Sequence, residues 1–293
     1  MIVVIFVINH GFSAFKNYCY NFDIPNSDLN PEFDPTLDDE FCEIFMNTIK
    51  YSIMKPVQQI FPLIDKSKFI FCMDCPRKNI WRREFYPEYK IQRDLKDTSK
   101  DKFNINRMFR FAYEMILPNI CEEYGALRIA SNCAEGDDVI AVLTKYFLNE
   151  TKDDVIIISC DKDMVQLCSD RVTLITVDGT IREPKKEIES ALKCKFKSDV
   201  EITANDFLLF KILIGDHADN IPNVKPGVGP KKAWKYVEDK KLLKELLSED
   251  ITIANGFLRN KKLISMNEIP KDIHNLIIDE YKETLNNSKE ILI

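Results

Sequence analysis

The chain of 293 residues is poor in glycine and histidine, with eight and three residues respectively. None of the three histidines has a partner at the spacing of a metal or catalytic pair. The phosphate-binding pattern GxxxxGK[ST] is absent, which argues against a P-loop nucleotide site. There is no internal repeat, low-complexity tract or transmembrane segment. The few glycines that lie beside charged motifs therefore carry more information than usual.

The nine cysteines show no framework spacing. Cys72 and Cys75 have the CxxC spacing, but no second pair completes a zinc site. We therefore expect reduced, buried thiols and a reducing compartment of cytoplasmic or nuclear type. The apolar opening MIVVIFVI is too short to span a bilayer and lacks a basic leader, so it predicts a buried strand and no membrane partner.

The net charge of −6 at first argues against a nucleic-acid partner. That argument is weak, because the acidic clusters described below contain more negative charges than the net excess. A bound cation would also reverse the local sign of the charge. The composition is that of an ordinary globular protein. The length allows one large α/β domain with an appended subdomain.

Short apolar runs alternate with longer helical stretches, a pattern typical of a mostly parallel sheet flanked by helices. The predicted strands are Ile2–Ile8, Phe69–Met73, Ala126–Ile129, Val155–Ser159 and Val172–Thr176. The predicted helices are Leu37–Ile64, Asn106–Tyr124, Glu135–Leu148, Ala204–Ile214, Pro230–Glu238 and Lys241–Leu247. A small hairpin is expected at Asp178-Gly179. No strand is predicted beyond residue 200, so we expect a core over residues 1–200 and a helical subdomain over 201–293.

Acidic residues form four clusters, each at the end of a predicted strand or helix. They are Asp74; Glu135, Asp137 and Asp138; Asp161 and Asp163; and Asp216 and Asp219. Ligands in such sheets bind beyond the carboxyl ends of the strands, so these side chains are expected at one edge. Helix capping explains any one cluster but not their convergence. Carboxylates brought together repel unless hard cations lie between them, so the sequence predicts a site for divalent metal, with more than one ion.

Residues 77–102 form the densest basic stretch and interleave Lys and Arg with aromatic side chains. Arg82, Arg83, Lys90 and Arg93 would contact phosphates, and Tyr89 could stack on an unpaired base. A solvated amphipathic loop is the alternative. The stretch follows Asp74 directly, which favours a nucleic-acid contact over the acidic edge.

The stretch NVKPGVGPKKAWKYV places Gly227 and Gly229 directly before a helix that begins at Pro230. Backbone N–H groups at such a helix start bind anions, and Lys231 and Lys232 add positive charge. A simple turn is the alternative.

Taken together, four stretches resemble the flap endonuclease and 5′-nuclease family, and most nearly its phage replication type. They are FIFCMDCPRKNIWRREFYPEYKIQR, AEGDDVIAVL, IIISCDKDMVQL and KILIGDHADNIPNVKPGVGPKKA, and their order over residues 1 to about 240 is that of the family. The resemblance implies a PIN-like core, a helical arch over about residues 76–103 and a helix-turn-helix element in the C-terminal subdomain.

By position, the resemblance implies that the eight acids above bind two Mg²⁺ or Mn²⁺ ions. Lys90 and Arg93 correspond to the basic pair of the arch that steers the scissile phosphate, with Tyr89 beside them. Gly227, Gly229 and Lys231 correspond to the element that holds the duplex, where K⁺ is expected. The implied function is 5′-3′ exonuclease or flap endonuclease activity, with RNA-primer removal, in DNA replication or repair. The implied partners are DNA with a 5′ flap, nick or single-stranded 5′ end, and RNA–DNA primer hybrids. We expect a monomer, and the resemblance to phage enzymes suggests a virus-encoded protein.

One position departs from the family pattern, because Asn9 stands where the family has a metal-binding Asp. Asn can still ligate a metal through its carbonyl oxygen, but it brings no charge. This leaves open a weakened enzyme that binds branched DNA. Two further alternatives are a PIN-like ribonuclease acting on single-stranded RNA, a class that lacks an element like Gly227–Gly229, and a phosphatase of the haloacid-dehalogenase type. In that phosphatase class an Asp-x-Asp pair follows the first strand. In this chain the corresponding pair begins at Asp161, which follows the fourth predicted strand.

Overall fold

The computed structural model of the protein describes residues 2–7, 68–95 and 110–290, with isolated helical positions between 39 and 55. Most of the predicted helix Leu37–Ile64, together with Asn9 and the arch beyond residue 95, lies outside the described residues. Among the helices that are described, none combines the length and apolar character needed to cross a bilayer.

A six-stranded sheet lies at the centre of the fold, and its first five strands are parallel. The strands are β1 (Ile2–Val7), β2 (Lys68–Cys72), β3 (Leu127–Ile129), β4 (Asp154–Ile158), β5 (Val172–Ile175) and β6 (Ile181–Arg182). Their order across the sheet is β3-β2-β1-β4-β5-β6. In the centre, Ile5 pairs with Ile70 on one side and Ile157 on the other. The predicted α/β class and its five parallel strands are confirmed.

Up to β6 the described helices lie between the strands in sequence. After β6 the described residues form helices without a further strand. In chain order, the described helices are α1 (Arg82–Phe85), α2 (Ile91–Asp94), α3 (Leu117–Tyr124), α4 (Gly136–Glu150), α5 (Pro184–Leu192), α6 (Ala204–Ile214), α7 (Pro230–Glu238), α8 (Lys240–Glu249), α9 (Ile251–Ile264) and α10 (Lys271–Glu290). Helix α6 begins at a capping box, in which the Thr203 hydroxyl accepts from the Asp206 amide and the Asp206 carboxylate accepts from the Thr203 amide.

The hairpin predicted at Asp178-Gly179 joins β5 to β6. Gly179 has a φ of +86°, a left-handed conformation that glycine adopts without strain. The turn is closed by the Thr176 amide, which donates to the Thr180 carbonyl at 2.9 Å. This prediction is confirmed, and the short antiparallel β6 ends the sheet on that side.

The C-terminal helices share the hydrophobic core of the sheet. The ring of Tyr281 in α10 lies 5.6 Å from that of Tyr146 and 5.5 Å from that of Phe147, both in α4. One continuous cluster of buried side chains joins β2 and β4 to helices α6, α7 and α10. Two units with boundary near residue 200 therefore remain a sequence-based prediction, while their side chains pack as one core.

Candidate active site

The carboxyl ends of β2 and β4 place two of the predicted acids at the same edge of the sheet. Asp74 lies two residues beyond β2, and Asp161 lies three residues beyond β4. Helix α4 begins at this edge, where the Gly136 amide donates to Asp74 Oδ1 at 2.7 Å. A Cβ at position 136 would lie 3.2 Å from that oxygen and 3.3 Å from the Cys72 carbonyl, so only glycine fits easily. The start of α4 is therefore held directly against the end of β2.

Asp137 lies in the first turn of α4 and is partly buried. Its pKa is raised well above the ordinary range, first by burial and then by the negative charges of Asp161 and Asp74. Three carboxylates from three segments thus act on one another, as the sequence predicted. A cation bound among them would relieve this repulsion.

Glu135 precedes α4 and is buried among positively charged side chains. Its carboxylate accepts from Lys90 Nζ at 2.5 Å, from the Tyr89 hydroxyl at 2.9 Å and from Arg82 Nη1 at 3.1 Å. Burial alone would raise the pKa of Glu135, but Lys90 and Arg82 hold it below its ordinary value. Glu135 therefore stays charged inside the protein.

Asp219 is contacted by the same basic segment. The backbone amide of Lys90 donates to the Asp219 carbonyl at 3.0 Å, and Lys90 Nζ lies 3.5 Å from Asp219 Oδ2. Arg93 Nη2 lies 2.5 Å from Asp219 Oδ1. Lys90 adopts a left-handed backbone conformation, with a φ of +56°. The predicted arch residues Lys90 and Arg93 thus lie at the acidic edge.

Sequence reasoning missed Lys211, which forms ion pairs with two of the other predicted acids. Lys211 Nζ lies 2.9 Å from Asp163 Oδ1 and 2.8 Å from Asp216 Oδ2. Burial outweighs this attraction at Asp163, so its pKa is raised to about 6, while the pKa of Asp216 is held below its ordinary value despite burial. The signal in the sequence was a single lysine inside the apolar run FLLFKILIG.

The acids predicted as metal ligands fall into two groups that differ in their surroundings. Asp74, Asp137 and Asp161 carry hard oxygen donors and repel one another. Asp163, Asp216 and Asp219 are already paired with Lys211, Lys90 and Arg93. In the part of the chain that the structure describes, no three acidic, histidine or cysteine side chains converge at metal-ligand geometry.

The roles predicted for Arg82 and Asp138 need correction, because these two side chains pair with each other inside the protein. Arg82 is only 4% exposed, and protein partners hold its guanidinium. Its Nη1 and Nη2 atoms donate to the two carboxylate oxygens of Asp138 at 2.8 and 2.7 Å. The indole of Trp81 also donates to Asp138 at 3.0 Å, and Asp138 has no exposed surface. We therefore leave Asp138 out of the proposed ligand set.

Tyr89 and Arg83 are also held by protein partners. Tyr89 is 4% exposed and its hydroxyl donates to Glu135, so its ring is not placed to stack on a base. Arg83 Nη2 forms an ion pair with Asp94 at 2.7 Å, and Arg77 contacts the same carboxylate at 2.9 Å. The described part of the basic stretch is therefore packed onto the domain rather than solvated throughout.

The glycine element lies where the sequence placed it. Gly227 has a φ of +80° in a turn closed by the Val228 amide, which donates to the Lys225 carbonyl at 3.1 Å. Gly229 is the residue immediately before α7, and Lys231 and Lys232 are exposed in its first turn. Their contact with a phosphate, and K⁺ binding at Gly227 and Gly229, remain predictions.

The chain matches a family model and known proteins over much of its length. Residues 45–197 match the family model of the 5′-3′ exonuclease N-terminal, resolvase-like domain. A 5′-3′ exonuclease of Buchnera aphidicola is 28% identical over 214 residues, which are 72% of this chain and 67% of that protein. A 5′-3′ exonuclease of Bacillus subtilis is 27% identical over 64% of this chain, and the match spans only 57% of the bacterial protein.

Among solved structures, the chain is similar to the D15 protein of phage T5 crystallised with metal ions. The TM-score is 0.64 at 18% identity, and the match covers 98% of this chain and 99% of that one. A T5 5′-exonuclease with bound zinc matches with the same TM-score at 17% identity. This likeness confirms the predicted PIN-like fold.

Proposed function

Because the chain belongs to the 5′-3′ exonuclease family through its N-terminal, resolvase-like domain, we propose that it is a divalent-metal-dependent, structure-specific 5′-nuclease. The observation that carries the proposal is the crowding of Asp74, Asp137 and Asp161 at the sheet edge. Repulsion among these carboxylates is what a bound cation would relieve. The proposed reaction is hydrolysis of a phosphodiester bond.

A bound Mg²⁺ or Mn²⁺ would lower the pKa of coordinated water and compensate the charge that develops on the phosphate. Asp74, Asp137 and Asp161 would hold such an ion, and Asp163, Asp216 and Asp219 would hold a second only if Lys211 gives way. Lys90 and Arg93 would exchange their carboxylate partners for phosphate oxygens of the substrate. Arg93 is better placed for first contact, because its side chain is 47% exposed and that of Lys90 is 11% exposed.

The C-terminal helices would hold the duplex beside this site. Exposed Lys231 and Lys232 at the start of α7 offer charge, and Gly227 permits close approach of a phosphate backbone. The T5 flap endonuclease that is similar in fold has been crystallised as a pseudo-enzyme–product complex with DNA and metal ions. We propose 5′ flaps, nicks and RNA–DNA primer hybrids as substrates, with a role in replication or repair. The family match does not favour the alternative of a weakened DNA-binding protein.

The proposal is tested with a 5′-labelled flap duplex and Mg²⁺. We expect product from the purified chain and a loss of about a hundredfold or more in rate for Asp137→Asn. Asp170→Asn is the matched control, since Asp170 is exposed and precedes β5 at the opposite end of the sheet. Absence of product from the unsubstituted chain, with folding verified by circular dichroism, would overturn the proposal.

A further inference from the structure

Residues 260–266, the last turn of α9 and the two residues after it, are called here the end of α9, and they form hydrogen bonds with three separate segments that carry or hold the site acids. This end lies outside residues 45–197, the span that the family model matches. Each contact involves a buried or partly buried polar side chain. The three contacts lead to the start of α4, to the turn after β4 and to the loop after α6.

The first contact is made by Arg82. Its Nε atom donates to the Leu263 carbonyl at 2.8 Å, while its other nitrogens hold Asp138 and Glu135. Leu263 lies in the last turn of α9, where carbonyls have no partner within the helix. One guanidinium therefore joins the end of α9 to the start of α4, beside Asp137.

The second contact is made by Gln166. Its Nε2 atom donates to the Ile264 carbonyl at 3.2 Å, and its Oε1 atom accepts from the Met266 amide at 2.9 Å. Gln166 lies in the 3₁₀ turn Lys162–Leu167, which Asp161 caps by accepting from the Asp163 amide. One amide side chain thus fixes the turn that carries these two acids against the end of α9.

The third contact is made by Asn260, which has no exposed surface. Its Nδ2 atom donates to the Ile212 carbonyl at 2.9 Å and to the Pro222 carbonyl at 2.7 Å. These two carbonyls flank the loop that carries Asp216 and Asp219. A single side chain therefore fixes both ends of this third acidic segment.

We infer that the end of α9 is a positioning element that sets the acid-bearing segments relative to one another. The inference rests on the proposed function, because it concerns the same site. Outer partners that orient a ligand affect metal affinity and rate strongly, and small misplacements of reacting groups are costly. If the contacts served only to stabilise the fold, their loss would lower the melting temperature without a specific effect on the site.

The test uses the full chain with Gln166→Met, Asn260→Leu and Arg82→Lys, each of similar size to the original residue. Phe147→Leu is the control, because Phe147 is fully buried in the hydrophobic core and its ring packs against Tyr281 of α10. The measurements are melting temperature, Mn²⁺ affinity by calorimetry, and kcat and KM on the flap duplex, all well below the melting point.

We expect Gln166→Met and Asn260→Leu each to lower Mn²⁺ affinity or kcat by about tenfold or more, with KM for DNA little changed. Arg82→Lys should do the same if it folds, since lysine keeps the charge but loses the fork of donors. Phe147→Leu should lower the melting temperature while kcat and Mn²⁺ affinity stay near those of the unsubstituted chain.

Folded Gln166→Met and Asn260→Leu proteins with unchanged Mn²⁺ affinity and kcat would overturn the inference, and so would an equal effect of Phe147→Leu. If the unsubstituted chain binds Mn²⁺ but cleaves nothing, the proposed function fails while the Mn²⁺ affinities still decide the role of α9. If it cleaves and the variants match it, only the positioning role fails.

Discussion

The Nζ atom of Lys211 lies 2.9 Å from Oδ1 of Asp163, inside the set of carboxylates that the sequence predicts as metal ligands. The same ammonium also reaches Asp216, so a side-chain cation stands where the family resemblance implies a divalent ion. Burial lowers the pKa of Lys211, but the two carboxylates more than offset this and raise it above its ordinary value. Lys211 therefore remains charged, and a metal at this position must compete with it.

Lys211→Met should make the metal-free protein less stable and more responsive to Mn²⁺. Removing one partner of a buried ion pair leaves uncompensated carboxylates, so we expect a melting temperature lower by about 5 °C or more without metal. Mn²⁺ should restore much of this loss. Lys244→Met on the exposed face of α8 is the control. A Mn²⁺-induced rise no larger than that of the unsubstituted chain would contradict competition at this position.

Lys90→Ala should reduce the cleavage rate more than it reduces DNA affinity. We expect a loss of about a hundredfold in single-turnover rate, as for removal of a donor that acts on the transition state, with little change in Kd. Arg93→Ala should weaken binding as well, because its side chain is the more exposed. Lys78→Ala, an exposed change in the same basic stretch, serves as the control. Equal losses of rate and affinity in Lys90→Ala would contradict its assigned role.

Lys231→Ala should weaken duplex binding and reduce its salt dependence. Each phosphate contact releases counterions, so loss of one should lower the slope of log K against log salt by about one. Lys241→Ala is the comparison, since Lys241 is exposed in the neighbouring helix α8. The measurement is fluorescence anisotropy of a labelled duplex over a salt series. An unchanged slope would place the duplex elsewhere.

The melting temperature should rise as the pH increases towards about 6.5, in part through His274. Burial and the nearby charge of Lys145 hold the pKa of His274 below its ordinary value. The folded protein therefore favours the neutral imidazole, whereas the unfolded chain takes up a proton below about 6.5. Stability from this group is present above that pH and lost as the pH falls through the folded pKa. His274→Gln should flatten this dependence, and an unchanged pH dependence in that variant would contradict the role given to His274.

Iodoacetamide at pH 8 should label Cys194 and leave Cys72 and Cys75 unmodified in the folded protein. Burial, followed by the charges of Glu135 and Asp74, raises the pKa of Cys75 to about 12. Cys72 is fully buried and its pKa is also raised, whereas Cys194 is exposed. Mass spectrometry before and after denaturation would measure this. Rapid labelling of the CxxC pair would revive the metal or redox role that the sequence reasoning set aside.

The strands and the acidic edge could be predicted because both depend on short sequence patterns. Apolar runs such as Val155–Ser159 specify buried strands, and acids directly after them must lie at the strand ends. The partners of those acids could not be predicted in the same way. Arg82 and Tyr89 fit a nucleic-acid contact in sequence, yet both are buried against Glu135, because their contacts join segments about fifty residues apart.

Tyr281 has a practical consequence for anyone trimming the molecule to a minimal fragment. A piece cut to the residues that the family model matches would leave Tyr146 and Phe147 facing water instead of this ring. Such an uncovered aromatic surface favours aggregation. Expression trials should therefore retain the last long helix even when only the chemistry of the sheet edge is of interest.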